Sequence, residues 1–299
     1  MPAMTTALDE HYKVDAAFMR RHANWLLDNG CTGIISLGSL GQGATLTFQE
    51  KEAILRNMAD TIGKRVPVVA AISALSTDEA VALAKSAEQA GCSGLMVLPP
   101  YVYSSGWREM KAHVVAVFRA TPLPCMLYNN PISYGTDFVP AQIAELAAEH
   151  KNLVAVKESS SDVRRVTAIR ALLGDRVKVF VGVDDVIVES IAAGAAGWVA
   201  GLVNAFPAES VALFNYATAG KKEEAFDLYR WFLPLLRMDT VPQLVQLIHR
   251  VQEEVGAGSA RVRAPRLETT GAELEETRRV LAEALAHRTS VRSTPFPKA

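Results

Sequence analysis

"LVAVKESSSD", residues 153–162, decides how the rest of the chain is read. Leu153 to Val156 form an apolar run of the kind that becomes a buried strand, and it drives straight into Lys157. Desolvation penalises an ammonium, so an amine at a buried strand end is costly unless something neutralises or uses it. A neutral amine condenses with a ketone to a Schiff base, whose protonated form is an electron sink for breaking bonds beyond the carbonyl. The competing reading pairs Lys157 with Glu158 or Asp184 as a structural ion pair, and spacing alone leaves both open.

Similar apolar runs recur outward from this strand. "NGCTGIISL" from Asn29, "AGCSGLMVL" from Ala90 and "AGAAGWVAG" from Ala193 each end a helix on glycine and start a buried strand three residues later. Strand-length runs also stand at Val66 to Ile72, Cys125 to Tyr128 and Val177 to Val181, with Ala3 to Thr6 as a first one, which makes eight with residues 153–156. Amphipathic helices lie between them, among them "DAAFMRRHANWLLD", "TFQEKEAILRNMADTI", "STDEAVALAKSAEQA" and "VPAQIAELAAEH". Strands apolar along their whole length and alternating with helices predict a parallel sheet covered by helices. The fold class is α/β, a (β/α)8 TIM barrel over residues 1–220 with a C-terminal helical extension over 221–299. An open doubly wound sheet is the alternative, but no G-x-G-x-x-G follows the first strand. Helices are expected at 221–236, 241–255 and 271–287, and a frayed tail at 288–299.

In such barrels the chemistry sits at the C-terminal strand ends. "GSLGQGATL" from Gly38 puts three glycines into six positions, which suits backbone N–H groups converging on a carboxylate, or a plain tight turn. Tyr128 follows the fifth strand, where a phenol could relay protons or serve as a core residue.

The 299 residues carry a net charge of −1, with 31 Lys and Arg against 32 Asp and Glu, so no field draws nucleic acid or an anionic membrane. The partner expected is a small molecule. Cys31, Cys92 and Cys125, scattered and odd in number, read as buried thiols in a reducing compartment. No secretion signal is evident, and the weakly polar stretch Ile191 to Phe206 is too short and glycine-broken to span a membrane, so the cytoplasm is expected. "WREMKAHVVAVFRA" and "RVRAPR" read as solvated helix face or subunit contact rather than a nucleic-acid site.

The glycine loop, "YNNP", "VAVKES" and G-x-D, in this order and spacing, resemble the dihydrodipicolinate synthase and N-acetylneuraminate lyase family over essentially the whole chain. The resemblance implies a barrel plus C-terminal helices, a homotetramer, and action on pyruvate or a related 2-oxo acid or imino acid through a lysine Schiff base, with no metal and no organic cofactor. It makes Lys157 the Schiff-base lysine, Tyr128 the catalytic tyrosine and Ser39 its hydroxyl contact. Substrate contacts would come from Leu40, Gly41, Gln42 and Asn130 on one side, and from Ser133, Asp184, Asp185 and Val199 on the other.

Departures sort the subgroup. The family loop usually reads G-[ST]-T-G-E, where Leu40 and Gln42 stand here. The arginine with which the synthases bind their second substrate falls on Ser133, and none lies between Arg119 and Arg164. The relay tyrosine from a neighbouring subunit falls on Val102, leaving Tyr103 to substitute after a backbone shift. The overall pattern most resembles catabolic members, the 1-pyrroline-4-hydroxy-2-carboxylate deaminase first and the 2-keto-3-deoxy sugar acid aldolases and dehydratases beside it. 4-Hydroxy-tetrahydrodipicolinate synthase is the alternative, and a non-catalytic binding barrel is the alternative of another class. A phosphate-using barrel is disfavoured by the two acids of "GVDDV", and a metal-dependent aldolase by histidines placed away from strand ends.

Overall fold

In the computed structural model, which describes residues 1–100 and 106–297, seven strands form one parallel sheet in sequential order. They are β1 Ile34–Ser36, β2 Val68–Ile72, β3 Gly94–Val97, β4 Cys125–Asn129, β5 Leu153–Glu158, β6 Lys178–Val181 and β7 Gly197–Trp198. Helices α1 Ala16–Asp28, α2 Phe48–Ile62, α3 Thr77–Gln89 and α4 Trp107–Ala120 alternate with the first strands. The single turn α5 Pro131–Tyr134 precedes α6 Pro140–Glu149, α7 Arg164–Leu173, α8 Ile187–Ala192 and α9 Pro207–Thr218.

The eighth stave is shorter than Ala3 to Thr6. Only Pro2 and Ala3 bridge, to Ala200 and Ile35, but they close the barrel: Ala3 N donates to Ala200 O at 2.8 Å and Met4 N to Ile35 O at 2.8 Å. Thr5 and Thr6 leave the ladder because their partners are side-chain or loop groups, Asn204 Oδ1 and Gly41 O. β2 likewise starts after Pro67, which has no N–H for a ladder and uses its carbonyl to accept from Ile34 N.

Local chemistry sets the helix starts. Asp15 caps α1 by accepting from Phe18 N at 2.8 Å, and Thr47 and Glu50 close a reciprocal capping box on α2. All three thiols are buried, and burial pushes Cys31 up to about 11 and Cys92 and Cys125 up to about 12. Among the described residues no helix is long and apolar enough to cross a membrane.

Gly220, at φ +70°, turns the chain from α9 into α10 Lys222–Leu236, which is followed by α11 Leu244–Glu254 and α12 Gly271–Ala286. The tail expected to fray is docked instead. Arg288 and Ser293 both bond Glu209, whose side chain is fully buried on α9. Further along, Thr294 O accepts from Trp25 Nε1 at 2.8 Å, and Phe296 stacks on Phe18 at 5.1 Å. A buried carboxylate and an indole N–H both need partners, and the tail supplies them. The "RVRAPR" stretch is irregular rather than helical, with Arg263 forked onto Glu50 at 2.7 and 2.9 Å.

Candidate active site

Tyr128 and Lys157 are direct partners in the β4–β5 register, so both side chains leave neighbouring strands at the same height. Lys157 is buried and its Nζ stands 4.3 Å from the centre of the Tyr128 ring, a cation–π approach. Among the described residues no carboxylate lies within 4.0 Å of that amine. The structural ion pair is therefore not formed. Strand alternation turns Glu158 away, to accept from Asn129 Nδ2 at 3.1 Å and Ser160 N at 2.7 Å, and Asp184 is spent on other donors.

The amine opens into a cavity of about 420 Å³. Ser39, Leu40, Tyr128, Asn130, Ser133, Lys157 and Val199 line it, which brings together seven residues singled out from the sequence. Asn130 donates through Nδ2 to the Tyr128 hydroxyl at 3.1 Å, holding the phenol while its Oδ1 accepts from Ser133 N at 3.0 Å. Ser39 does not meet Tyr128 as expected. Its hydroxyl is bonded to that of Tyr134, which the αL Gly135 brings over the loop and whose ring packs edge-on against Tyr128 at 5.8 Å.

Four expected contacts lie off the cavity. Gly41 is pressed against Met4, where an added β-carbon would come within 2.8 Å of the carbonyl, and its own carbonyl accepts from Thr6 Oγ1. Gln42, left-handed at φ +56°, is buried and accepts from Arg263 N at 2.7 Å. Asp184 is fully buried and accepts from Trp198 Nε1 at 2.9 Å, Gly201 N at 3.1 Å and Leu202 N at 2.8 Å. It thus ties the turn after β6 to the end of β7, and burial raises it to about 6 against those donors. Asp185 faces Arg237 at 3.7 Å, and burial raises it too. Tyr103 lies outside the described residues.

The cavity also holds groups that sequence reasoning missed. Ser159, two residues after Lys157 and on the same strand face, lines it with a buried hydroxyl that has no hydrogen-bond partner among the described residues. Gly182 makes room for both: a β-carbon there would sit 2.2 Å from Lys157 Cε and from Ser159 Oγ. Asp239, on a helical turn between α10 and α11, and Arg266, beyond α11, reach the cavity from the C-terminal extension. The chain therefore has an arginine at its cavity, but not from the segment after "YNNP". Among the described residues no group of His, Cys, Asp and Glu is placed to hold a metal ion.

A closed parallel barrel with an amine and a phenol on adjacent strand ends, facing a polar cavity, is an arrangement suited to a small carbonyl compound. The model of the dihydrodipicolinate synthetase family matches residues 1–284. 4-Hydroxy-tetrahydrodipicolinate synthase of Geotalea daltonii is 33% identical over 225 residues, 75% of this chain and 76% of that one. Among solved structures, the same-named synthase of Methylacidiphilum fumariolicum superposes with a TM-score of 0.91 at 26% identity, covering 95% of each chain. A dihydrodipicolinate synthase of Bacillus anthracis gives 0.90 at 29%, covering 94% of this chain and 96% of its own. This chain belongs to the dihydrodipicolinate synthetase family. Enzymes of that family use a lysine Schiff base with a pyruvate-type substrate and need no cofactor.

Proposed function

We propose that Lys157 forms a Schiff base with pyruvate or a close 2-oxo acid, and that the chain then makes or breaks a bond beyond the former carbonyl. The observation that carries this reading is the buried Lys157 amine, set against the Tyr128 ring and with no carboxylate within 4.0 Å among the described residues. Tyr128, held by Asn130, moves the protons of imine and enamine formation. Ser39 and the backbone at Leu40 hold the substrate carboxylate. The assembly is the homotetramer that the family resemblance implies, and the compartment the cytoplasm.

The names of the relatives favour 4-hydroxy-tetrahydrodipicolinate synthase as the activity. One observation favours a second reading, the deaminase of 1-pyrroline-4-hydroxy-2-carboxylate. Ser133 lines the cavity where the synthase pattern asks for an arginine, and a short hydroxyl suits a hydroxylated cyclic substrate better than a second carboxylate. In that reading Lys157 attacks the C2 imine carbon, the 4-hydroxyl is lost, and hydrolysis releases a dioxo acid and ammonia.

Borohydride reduction of the protein with pyruvate, followed by peptide mapping, tests the shared step. A reduced pyruvyl adduct on Lys157 is expected, and a folded protein without one sinks the Schiff-base reading. Turnover with pyruvate plus aspartate semialdehyde, set beside turnover of the hydroxypyrroline, then separates the two activities.

A further inference from the structure

The cavity holds one carboxylic acid among its described lining residues, and the reaction outlined above gives it no task. Asp239 arrives from the C-terminal extension at Gly201, just after β7. Sheet order puts Tyr128 on β4, on one flank of the lysine strand β5, and Gly201 past β6 and β7 on the other. The phenol and the carboxyl thus line the cavity on opposite flanks of the lysine strand.

Asp239 does not stand alone. A β-carbon at Gly201 would lie 2.4 Å from Asp239 Oδ1 and 3.5 Å from Asp184 Oδ2, so the two carboxyl groups meet across one glycine. They are not equivalent. Asp184 is supplied with donors from the Trp198 indole and the Gly201 and Leu202 amides, which stabilise negative charge there. Two neighbouring carboxylates cannot both ionise cheaply, so the proton falls to the less well supplied partner, Asp239.

Burial, first, and then the Asp184 charge push Asp239 well above the usual carboxylate range. Lys157 on β5 and the backbone N–H of Asp184 oppose this, one donor against the three that Asp184 itself has, and Asp185, beside Arg237, reinforces it. Arg266 lines the same cavity, and the start of α11 contributes the apolar Leu244 and Val245. A carboxyl at a cavity wall that its surroundings push toward the protonated form is suited to donate a proton.

We propose that Asp239 is a second acid–base group of this site, acting on the oxygen carried by the substrate carbon two bonds beyond the one joined to Lys157. The proposal rests on the Schiff-base reading but holds for either of its two activities, because both change that oxygen. In condensation, the enamine pair forms the new carbon–carbon bond while the lysine nitrogen restores its double bond. The acceptor's carbonyl pair then moves to oxygen, which takes the Asp239 proton. In elimination, the nitrogen lone pair restores the iminium and the enamine pair shifts one bond outward. The carbon–oxygen bond breaks with its pair on oxygen, which takes the same proton and leaves as water. Asp239 is left as carboxylate in both cases and recovers its proton from water as product leaves.

The test is Asp239→Asn in the full chain, with three readouts: borohydride trapping of pyruvate, exchange of the pyruvate methyl protons in deuterated water, and turnover of the second substrate or the hydroxypyrroline. Trapping and exchange stop before the distal oxygen and are expected to be unchanged, while turnover falls about 10²–10⁴-fold. The alkaline limb of the wild-type pH–rate profile disappears in this variant, and Asp239→Glu recovers part of the turnover. Wild-type turnover in Asp239→Asn overturns the proposal. So does a loss of trapping and exchange in step with turnover, which marks a structural role. If Asp239→Asn does not fold, Asp239→Glu decides by the same readouts: trapping and exchange kept with altered turnover supports the assignment, and wild-type turnover with an unshifted profile overturns it. A wild-type protein that traps no pyruvate refutes the Schiff-base reading itself, a different result.

Discussion

Replacing Gly182 by alanine should silence the lysine while sparing the fold. The added β-carbon would lie 2.2 Å from Lys157 Cε and 3.0 Å from Lys157 Cγ, in a cavity wall that already holds Ser159 Oγ at 2.2 Å. Carbon atoms pack at about 3.5–4.0 Å, so the lysine arm has to retreat by more than about 1 Å. Overpacking costs roughly 1–3 kcal/mol in general, and the lower figure applies here because the clash is with a flexible arm rather than with backbone. The rate is less forgiving: a displacement of about 1 Å at a reacting group costs on the order of 10²-fold. The assay is the rate at which borohydride fixes pyruvate onto the protein, beside a thermal melt. A loss of a few degrees with a hundredfold slower labelling is expected. If folded Gly182→Ala labels at the wild-type rate, the position of Lys157 is not what this glycine protects.

Two further outcomes follow from buried charge. His22 and His249 are pushed down to about 4 by burial, so the unfolded chain takes up protons from about pH 6.5 where the folded one does not until about 4. Each therefore stabilises the fold fully above that window and less as pH falls through it. Asp184 and Asp239, raised in the fold, act with the opposite sign and are common to both chains in the comparison. Passing from pH 7 to 5, His22→Gln should lose about 2 kcal/mol less stability than the wild type in urea titrations, and equal losses would refute the assignment. Arg288→Ala strands the Glu209 carboxylate, which is 0% exposed, with Ser293 as its remaining side-chain partner, and should cost about 3–5 kcal/mol. A change in the urea midpoint worth less than about 1 kcal/mol would show that the docked tail carries no weight.

What could be read from residues alone follows the range of the forces involved. The strands that carry Tyr128 and Lys157 near their ends are legible because an apolar run interrupted by an amine is a local signal. Ser159 has a local signal too, the two-residue strand period from Lys157, but it stands among three consecutive serines that look alike. For Asp184 the local signal points elsewhere: polarity at a strand end suggests a substrate contact, but the indole that claims it stands fourteen residues further on. Asp239 and Arg266 carry no local sign of their place, because the packing of the C-terminal extension alone brings them to the cavity. The tail failed for the same reason, since its polar composition says nothing of the Glu209 and Trp25 groups waiting for it.

Gln42 binds Arg263 N at 2.7 Å, joining the loop of Ser39 and Leu40 to the segment that delivers Arg266. The cavity wall is thus stitched from residues more than two hundred positions apart. The wall is complete only in a chain that extends through Arg266, so the cavity belongs to the barrel and its C-terminal extension together.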